Sequence, residues 1–134
     1  MVMPTRHRES VIEQAQGKLV ITVHPHQCLL IYPLPDWERT ERKLMELPSL
    51  HPQASRLQRL MVGHASDVEL DGHGRFLIPP ELREFAQLGR LVMLIGQGNR
   101  FELWDETRWN DERSTWLAQA EGATDLPLLN SLLL

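Results

Sequence analysis

The amino-acid sequence predicts an α+β fold in which one half, made of short strands and amphipathic helices, occurs twice. Three observations support this prediction. Motifs recur at a nearly constant offset, β-branched apolar runs alternate with turn signals, and segments that begin with proline have helical spacing. The 134 residues, of which 42% are hydrophobic and 24% charged, fit one domain or two very small ones.

The repeat is defined by matched residues in the two parts of the chain. Pro4-x-x-x-Arg8-Glu9 matches Pro79-x-x-x-Arg83-Glu84 at an offset of 75 residues, and Gly17-Lys18-Leu19-Val20 matches Gly89-Arg90-Leu91-Val92 at an offset of 72. The offset of 72 also pairs Leu29 with Phe101, Ile31 with Leu103, Tyr32 with Trp104 and Trp37 with Trp109. The first copy therefore has three more residues between Arg8 and Gly17.

Each copy predicts the same elements in the same order. A short helix follows the proline, as in residues 80–85, because proline is tolerated in the first helical turn. A strand (19–23 or 91–95), a turn (24–27 or 96–99), a second strand (28–32 or 100–104) and an amphipathic helix follow. These patterns predict a first half at 1–51, a linking helix at 52–63, a second half at 64–121 and a tail at 122–134.

Only the second copy contains a predicted β-hairpin. Polar and apolar residues alternate over 66–71, as in a half-buried strand. Gly72-His73-Gly74 is a turn signal, and residues 75–78 return as a strand. Projected back by 75 residues, the matching hairpin would precede Met1, so the first half is expected to be incomplete at its N-terminus. The remaining hairpin would then expose part of its apolar faces, at Val68, Leu70, Phe76 and Ile78.

The turn and the residues after it carry a family resemblance. Asp71-Gly72-His73-Gly74-Arg75, followed by Ile78-Pro79-Pro80-x-Leu82-Arg83, resembles the second D-x-x-x-R signature of MraZ proteins, as do residues 32–37, 57–59 and 95–105. The resemblance covers roughly residues 1–116. It implies two swapped-hairpin, AbrB-like β-barrel halves. The first D-x-x-x-R signature has no counterpart here; a misplaced start codon, a shortened polypeptide or a natural loss would each explain this.

The resemblance also implies a function. MraZ proteins are bacterial transcriptional regulators of the division and cell-wall gene cluster, assemble into homo-oligomeric rings and bind short repeats in promoter DNA. The chain is thus expected to be a repressor of that cluster, its own promoter included, and to bind double-stranded DNA in the cytoplasm, associated with the nucleoid. The alternative is a ring-forming subunit whose DNA binding is impaired because the first hairpin is missing. A small hydrolase or metal enzyme is the least favoured hypothesis.

The signature turn supplies the first candidate DNA contacts. Asp71 and Arg75 bracket three residues, so Asp71 can orient the Arg75 guanidinium, which then presents donors to a guanine edge or a phosphate. The simpler interpretation is an aspartate that closes a turn beside a solvated arginine. His73 at the turn tip lies where the family often has a basic residue. Since histidine is mostly uncharged at neutral pH, its contribution to DNA affinity should be greater in acid.

Three further arginines are candidate DNA contacts. Arg83 and its repeat counterpart Arg8 lie one helical turn after a proline, where they would reach phosphate or hold the helix to a carboxylate. Arg6 is a weaker phosphate candidate, because its repeat counterpart is Glu81.

Other classes of function find little support in the sequence. No apolar run reaches the roughly 18 residues of a membrane span, so no membrane partner is expected. No catalytic constellation or phosphate-binding glycine loop occurs, so neither a small-molecule substrate nor a cofactor is expected. His24-Pro25-His26-Gln27-Cys28 has zinc-ligand types, but its repeat counterpart is an ordinary turn, which favours a plain loop and no metal. The net charge of −4 arises after residue 100, since residues 1–100 hold 12 Lys/Arg and 11 Asp/Glu.

Overall fold

The computed structural model describes residues 1–120 and Ser131. Its strands form one antiparallel five-stranded sheet in the order β3-β1-β2-β5-β4. They are β1 (Lys18–His24), β2 (Cys28–Pro33), β3 (Ser66–Glu69), β4 (Val92–Gly96) and β5 (Phe101–Asp105). With helices packed against this sheet, the predicted α+β class is confirmed. The predicted tail at 122–134 lies, apart from Ser131, outside the described residues.

The helices recur in the order that the repeat predicts. They are α1 (Thr5–Ala15), α2 (Leu34–Glu46), α3 (Pro52–Leu57), α4 (Pro80–Phe85) and α5 (Glu106–Ala120). The elements α1-β1-β2-α2 of the first copy thus correspond to α4-β4-β5-α5 of the second. Between the copies, α3 continues into a wider π-helical segment, Gln58–Val62. Proline stands in the first turn of α2, α3 and α4, where its missing N–H leaves no helical hydrogen bond unmade.

The hairpin predicted for residues 66–78 forms only at its turn. The backbone N–H of Asp71 donates to the carbonyl of Arg75 (2.8 Å), and the N–H of Gly74 donates to the carbonyl of Asp71 (3.0 Å). Beyond this turn the arms separate, since β3 pairs with β1 while Arg75 forms a bridge with Val2. The predicted pairing of the two arms is therefore wrong, because each arm pairs with a segment of the first copy.

The first residues of the chain cover the second arm. The N–H of Phe76 donates to the carbonyl of Met1 (2.8 Å), and the amino group of Met1 donates to the carbonyl of Phe76 (3.0 Å). Phe76 and Ile78 are consequently only 4% and 3% exposed and belong to the core cluster that contains Met3. The expectation that these two side chains would be partly uncovered is wrong. The two apolar residues of the first arm are half-buried: Val68 and Leu70.

Both faces of the sheet are covered by apolar side chains because residues alternate along each strand. Leu19 and Ile21 of β1 contribute to the larger cluster, which also includes Leu82 of α4. Val20, between them, belongs to the second cluster with Trp37 of α2. Pairing of β2 with β5 joins the two copies into this single sheet.

Candidate nucleic-acid interface

The carboxylate of Asp71 organises the signature turn through three hydrogen bonds. Its Oδ1 accepts the backbone N–H groups of His73 (2.8 Å) and Arg75 (2.9 Å), and its Oδ2 accepts the side-chain Nε–H of Arg75 (3.1 Å). Gly74 has a φ of +74°, a conformation that glycine adopts without steric cost. The five residues therefore form a closed loop in which one carboxylate fixes both the backbone and the arginine.

This hydrogen-bonding pattern lowers the pKa of the Asp71 carboxyl below its ordinary value. The largest cause is the backbone N–H of Arg75, followed among the lowering contributions by the N–H of His73 and the Arg75 guanidinium. The carboxylate thus stays ionised at neutral pH and holds the Nε edge of the guanidinium. Arg75 is 60% exposed along its side chain, and its terminal Nη groups have no hydrogen-bond partner among the described residues.

Arg8 lies directly beneath the turn. A Cβ added at Gly74 would overlap the Arg8 guanidinium, so a larger residue at this position requires the Arg8 side chain to move. The Nη2 of Arg8 donates to the carbonyl of Met3 (3.1 Å), while its Nε is buried without a partner among the described residues. Arg8 is therefore placed to support the turn from below. No sequence signal indicated this contact, because the motif that contains Arg8 also occurs at Arg83 in a different environment.

The other candidate DNA contacts are exposed. His73 lies at the tip of the turn, Arg83 on α4 and Arg6 on α1. The structure thus brings His73 and Arg75 together around Asp71, with Arg8 underneath. Within the part of the chain that the structure describes, no hydrogen bond or ion pair links Arg6 or Arg83 to the turn.

Arg108 connects the two copies, a role that sequence reasoning missed. From α5, its guanidinium donates to the carbonyls of His26 (3.0 Å), Ala86 (3.4 Å) and Gln27. It also lies over the ring of Trp104, 5.6 Å from the centroid. The repeat counterpart of Arg108 is Asp36, so the comparison of the two copies gave no indication of this contact.

The histidines that suggested a metal site form the turn between β1 and β2. The Nδ1 of His24 accepts the backbone N–H of His26 (3.0 Å), and the two rings meet edge to face at 5.0 Å. Cys28 is buried, and burial raises the pKa of its thiol to about 12. Among residues 1–120, no group of three or more His, Cys, Asp or Glu side chains is placed to hold a metal ion.

Comparison with known proteins identifies the family. A family model described as "MraZ protein, putative antitoxin-like" matches residues 1–60 and 61–125. A relative from Methylococcus capsulatus is 53% identical, with 98% of this chain and 89% of the relative covered. A relative from Halorhodospira halophila is 50% identical, with 95% of this chain and 85% of the relative covered. A relative from Thioalkalivibrio sulfidiphilus is 51% identical, with 98% of this chain and 89% of the relative covered.

All three relatives have the name Transcriptional regulator MraZ. None of the described helices combines the length and apolar character that a membrane span requires. The family model matches two consecutive segments, and about half of the aligned residues are identical to those of named members. The chain therefore belongs to the MraZ family, whose members are transcriptional regulators and not enzymes.

Proposed function

We propose that the chain is a sequence-specific repressor of the bacterial division and cell-wall gene cluster, including its own promoter. The observation that supports this most directly is the Asp71–Arg75 pair. One edge of the guanidinium is held by a carboxylate, and the side chain is otherwise exposed at the turn. A donor fixed in this way has lost part of its side-chain freedom before DNA arrives, which lowers the entropic cost of binding.

Arg75 is the residue that we propose reads the DNA sequence. Its Nε is occupied by Asp71, which leaves two terminal nitrogens side by side. Two parallel N–H donors match the O6 and N7 acceptors of guanine in the major groove. The same pair also fits two oxygens of a phosphate, so the choice between guanine and phosphate is a matter for experiment.

The remaining candidates would strengthen binding without reading the sequence. Arg83, Arg6 and His73 are exposed, and in this proposal they contact phosphates, which position a protein on the duplex. Arg8 acts mainly by supporting Gly74 from beneath. That Arg8 also reaches a phosphate remains a prediction.

Assembly into a homo-oligomeric ring completes the proposal. A single turn contacts only a few base pairs, but several identical turns held in one assembly would bind short direct repeats together. Linking sites in this way raises overall affinity without any new contact. Double-stranded promoter DNA and further copies of the chain are thus the proposed partners, at the nucleoid in the cytoplasm.

The test is a binding titration of the full chain with DNA from upstream of its own gene. Two salt concentrations and unlabelled competitor DNA separate phosphate contacts from sequence preference. Preference for the promoter over a shuffled duplex would support the repressor. Assembly into a ring without any such preference would contradict it and favour the alternative of a subunit with impaired DNA binding.

A further inference from the structure

Residues 47–65 form a locally basic surface in an acidic chain. The net charge of the protein is −4, yet no aspartate or glutamate occurs between Leu47 and Ala65, and this segment contains Arg56 and Arg59. Both arginines are exposed, on α3 and the π-helical segment that continues it. The ion pairs recorded among the described residues are Arg39–Asp36 and Arg75–Asp71, so neither arginine has an acidic partner there.

The two arginines line an open groove of about 760 Å³. Ser49 and Ser55 line it as well, and its other lining side chains are leucine or proline, so no acidic group contributes to it. Arginine and serine are among the side chains that donate to phosphate oxygens in complexes with DNA. The groove thus offers charged guanidinium donors and neutral hydroxyl donors, and no carboxylate contributes to its lining.

The helical segment that carries the groove is fixed to the rest of the molecule. Gln58 lies between the two arginines in sequence, and its Nε2 donates to the carbonyls of Leu44 (2.8 Å) and Leu47 (3.3 Å). Thr22 of β1 donates to the carbonyl of Met61 (2.6 Å). Arg56 and Arg59 therefore project from a backbone that is held on both sides.

The segment also lies beside an element of the proposed DNA-binding site. The ring of His64, just after the π-helical segment, packs against Phe85 of α4 with centroids 6.3 Å apart. Arg83, a proposed phosphate contact, is on the same short helix as Phe85. Helix α4, which carries Arg83, therefore contacts the same segment that carries the groove.

We propose that Arg56 and Arg59 bind the phosphodiester backbone of DNA, as a second and sequence-independent contact surface. This inference rests on the proposed function, because it needs a DNA partner, but it assigns residues outside the signature turn. Each phosphate that a cation neutralises makes the slope of log affinity against log salt more negative by about 0.9. Two contacts would account for a slope contribution of about 1.8.

The experiment compares the wild type with the double variant Arg56→Gln/Arg59→Gln at four or more salt concentrations. Each protein is titrated with a promoter duplex and with an unrelated duplex of the same length. We expect the double variant to lose about 1 to 2 units of salt slope on both duplexes, with an unchanged ratio of the two affinities. The variant Arg56→Lys/Arg59→Lys keeps the charges and should keep most of the slope.

A matched control removes two charges elsewhere. Arg90→Gln/Arg113→Gln alters exposed arginines that do not line the groove, and its slope should stay closer to that of the wild type. Equal slopes for the two Gln double variants would overturn the proposal. Thermal unfolding with inorganic phosphate gives a second test. The proposal is also overturned if the groove variant loses protection by phosphate while its DNA binding is unchanged. A wild type without promoter preference would instead refute the repressor function, and the slope on the unrelated duplex would still test the groove.

Discussion

Leu30 of β2 lies directly opposite Glu102 of β5, and the two residues are equivalents in the repeat, 72 positions apart. In an antiparallel pair, a residue that faces its own equivalent marks a local two-fold axis. The flanking pairs are Leu29 with Leu103 and Ile31 with Phe101. They obey this symmetry, because replacing each residue by its equivalent in the other copy converts one pair into the other. The two copies thus meet in the sheet as symmetry-related partners.

The pairing of Met1 with Phe76 follows the same rule. These residues are equivalents at the offset of 75, and each donates a backbone hydrogen bond to the other. Two separate strand contacts between the copies are therefore centred on equivalent residues, which is the arrangement expected for halves related by pseudo-two-fold symmetry.

Arg75→Ala tests direct reading of the DNA sequence. If Arg75 binds guanine, the variant should lose about 1 to 3 kcal/mol of discrimination between promoter and shuffled DNA at each site. If it binds phosphate, the main change should be a less negative slope of log affinity against log salt. Arg39→Ala is the control, because Arg39 is also an exposed arginine paired with an aspartate. Equal effects of the two variants would exclude the turn from recognition.

Asp71→Asn tests the carboxylate of the turn through the pH dependence of stability. The folded state lowers the pKa of Asp71, so its stabilising contribution is present above the unfolded value of about 3.9 and is lost as the pH falls through the lowered folded value. The wild type should therefore be more stable than the variant at pH 7, and the difference should shrink in strong acid. Denaturant unfolding at several pH values measures this. A difference that is independent of pH would contradict the assignment.

An NMR titration of Asp71 in Arg75→Ala separates the causes of this shift. The largest cause is the backbone N–H of residue 75, which alanine retains. We therefore expect the pKa of Asp71 to stay below its ordinary value in the variant and to rise only partly. A return to the ordinary value would show that the guanidinium, rather than the backbone, dominates.

Gly74→Ala and Gly98→Ala form a matched pair. Both glycines have positive φ, +74° and +72°, so each alanine should cost about 1 to 2 kcal/mol for its backbone conformation. A Cβ at Gly98 meets nothing within 4 Å, whereas a Cβ at Gly74 overlaps Arg8. Gly74→Ala should therefore be the more destabilising variant in chemical denaturation, and it should also weaken promoter binding. Equal losses of stability would show that Arg8 moves aside freely.

Arg108→Ala tests the contact between the copies. Its guanidinium donates to three backbone carbonyls, and hydrogen bonds to charged groups contribute about 1.5 to 3 kcal/mol. We expect a loss of about 2 kcal/mol in the free energy of unfolding. Arg113→Ala, an exposed position on the same helix, should stay within about 0.5 kcal/mol of the wild type. The proposed role is refuted if the two variants unfold alike.

The sequence predicted those features that neighbouring residues determine. Helix α4 begins at Pro80 and ends at Phe85, as the proline and the apolar spacing indicate. The Asp71–Arg75 turn also forms where the glycines predict it, because a short polar side chain that accepts N–H groups two and four residues ahead needs no distant partner.

Features that depend on distant residues were not predictable in the same way. The second arm of the expected hairpin pairs with residues about 75 positions earlier, and the local pattern of alternation does not specify which strand will be the neighbour. Arg8 and Arg83 occupy equivalent motif positions, yet one supports a turn and the other is exposed. Their difference arises from packing between the copies. A comparison of the repeats cannot show it, because it treats the two positions as equivalent.

The distance along the chain between paired strands has a consequence for synthesis. Polypeptides are made at about 5 to 20 residues per second, so Phe76 is added roughly 4 to 15 s after Met1. During this interval the nascent first copy has neither its partner for residues 1–3 nor β5 beside β2. The first copy therefore completes its fold only when the second has been made, and translation pauses between them would lengthen the exposure of its apolar surface.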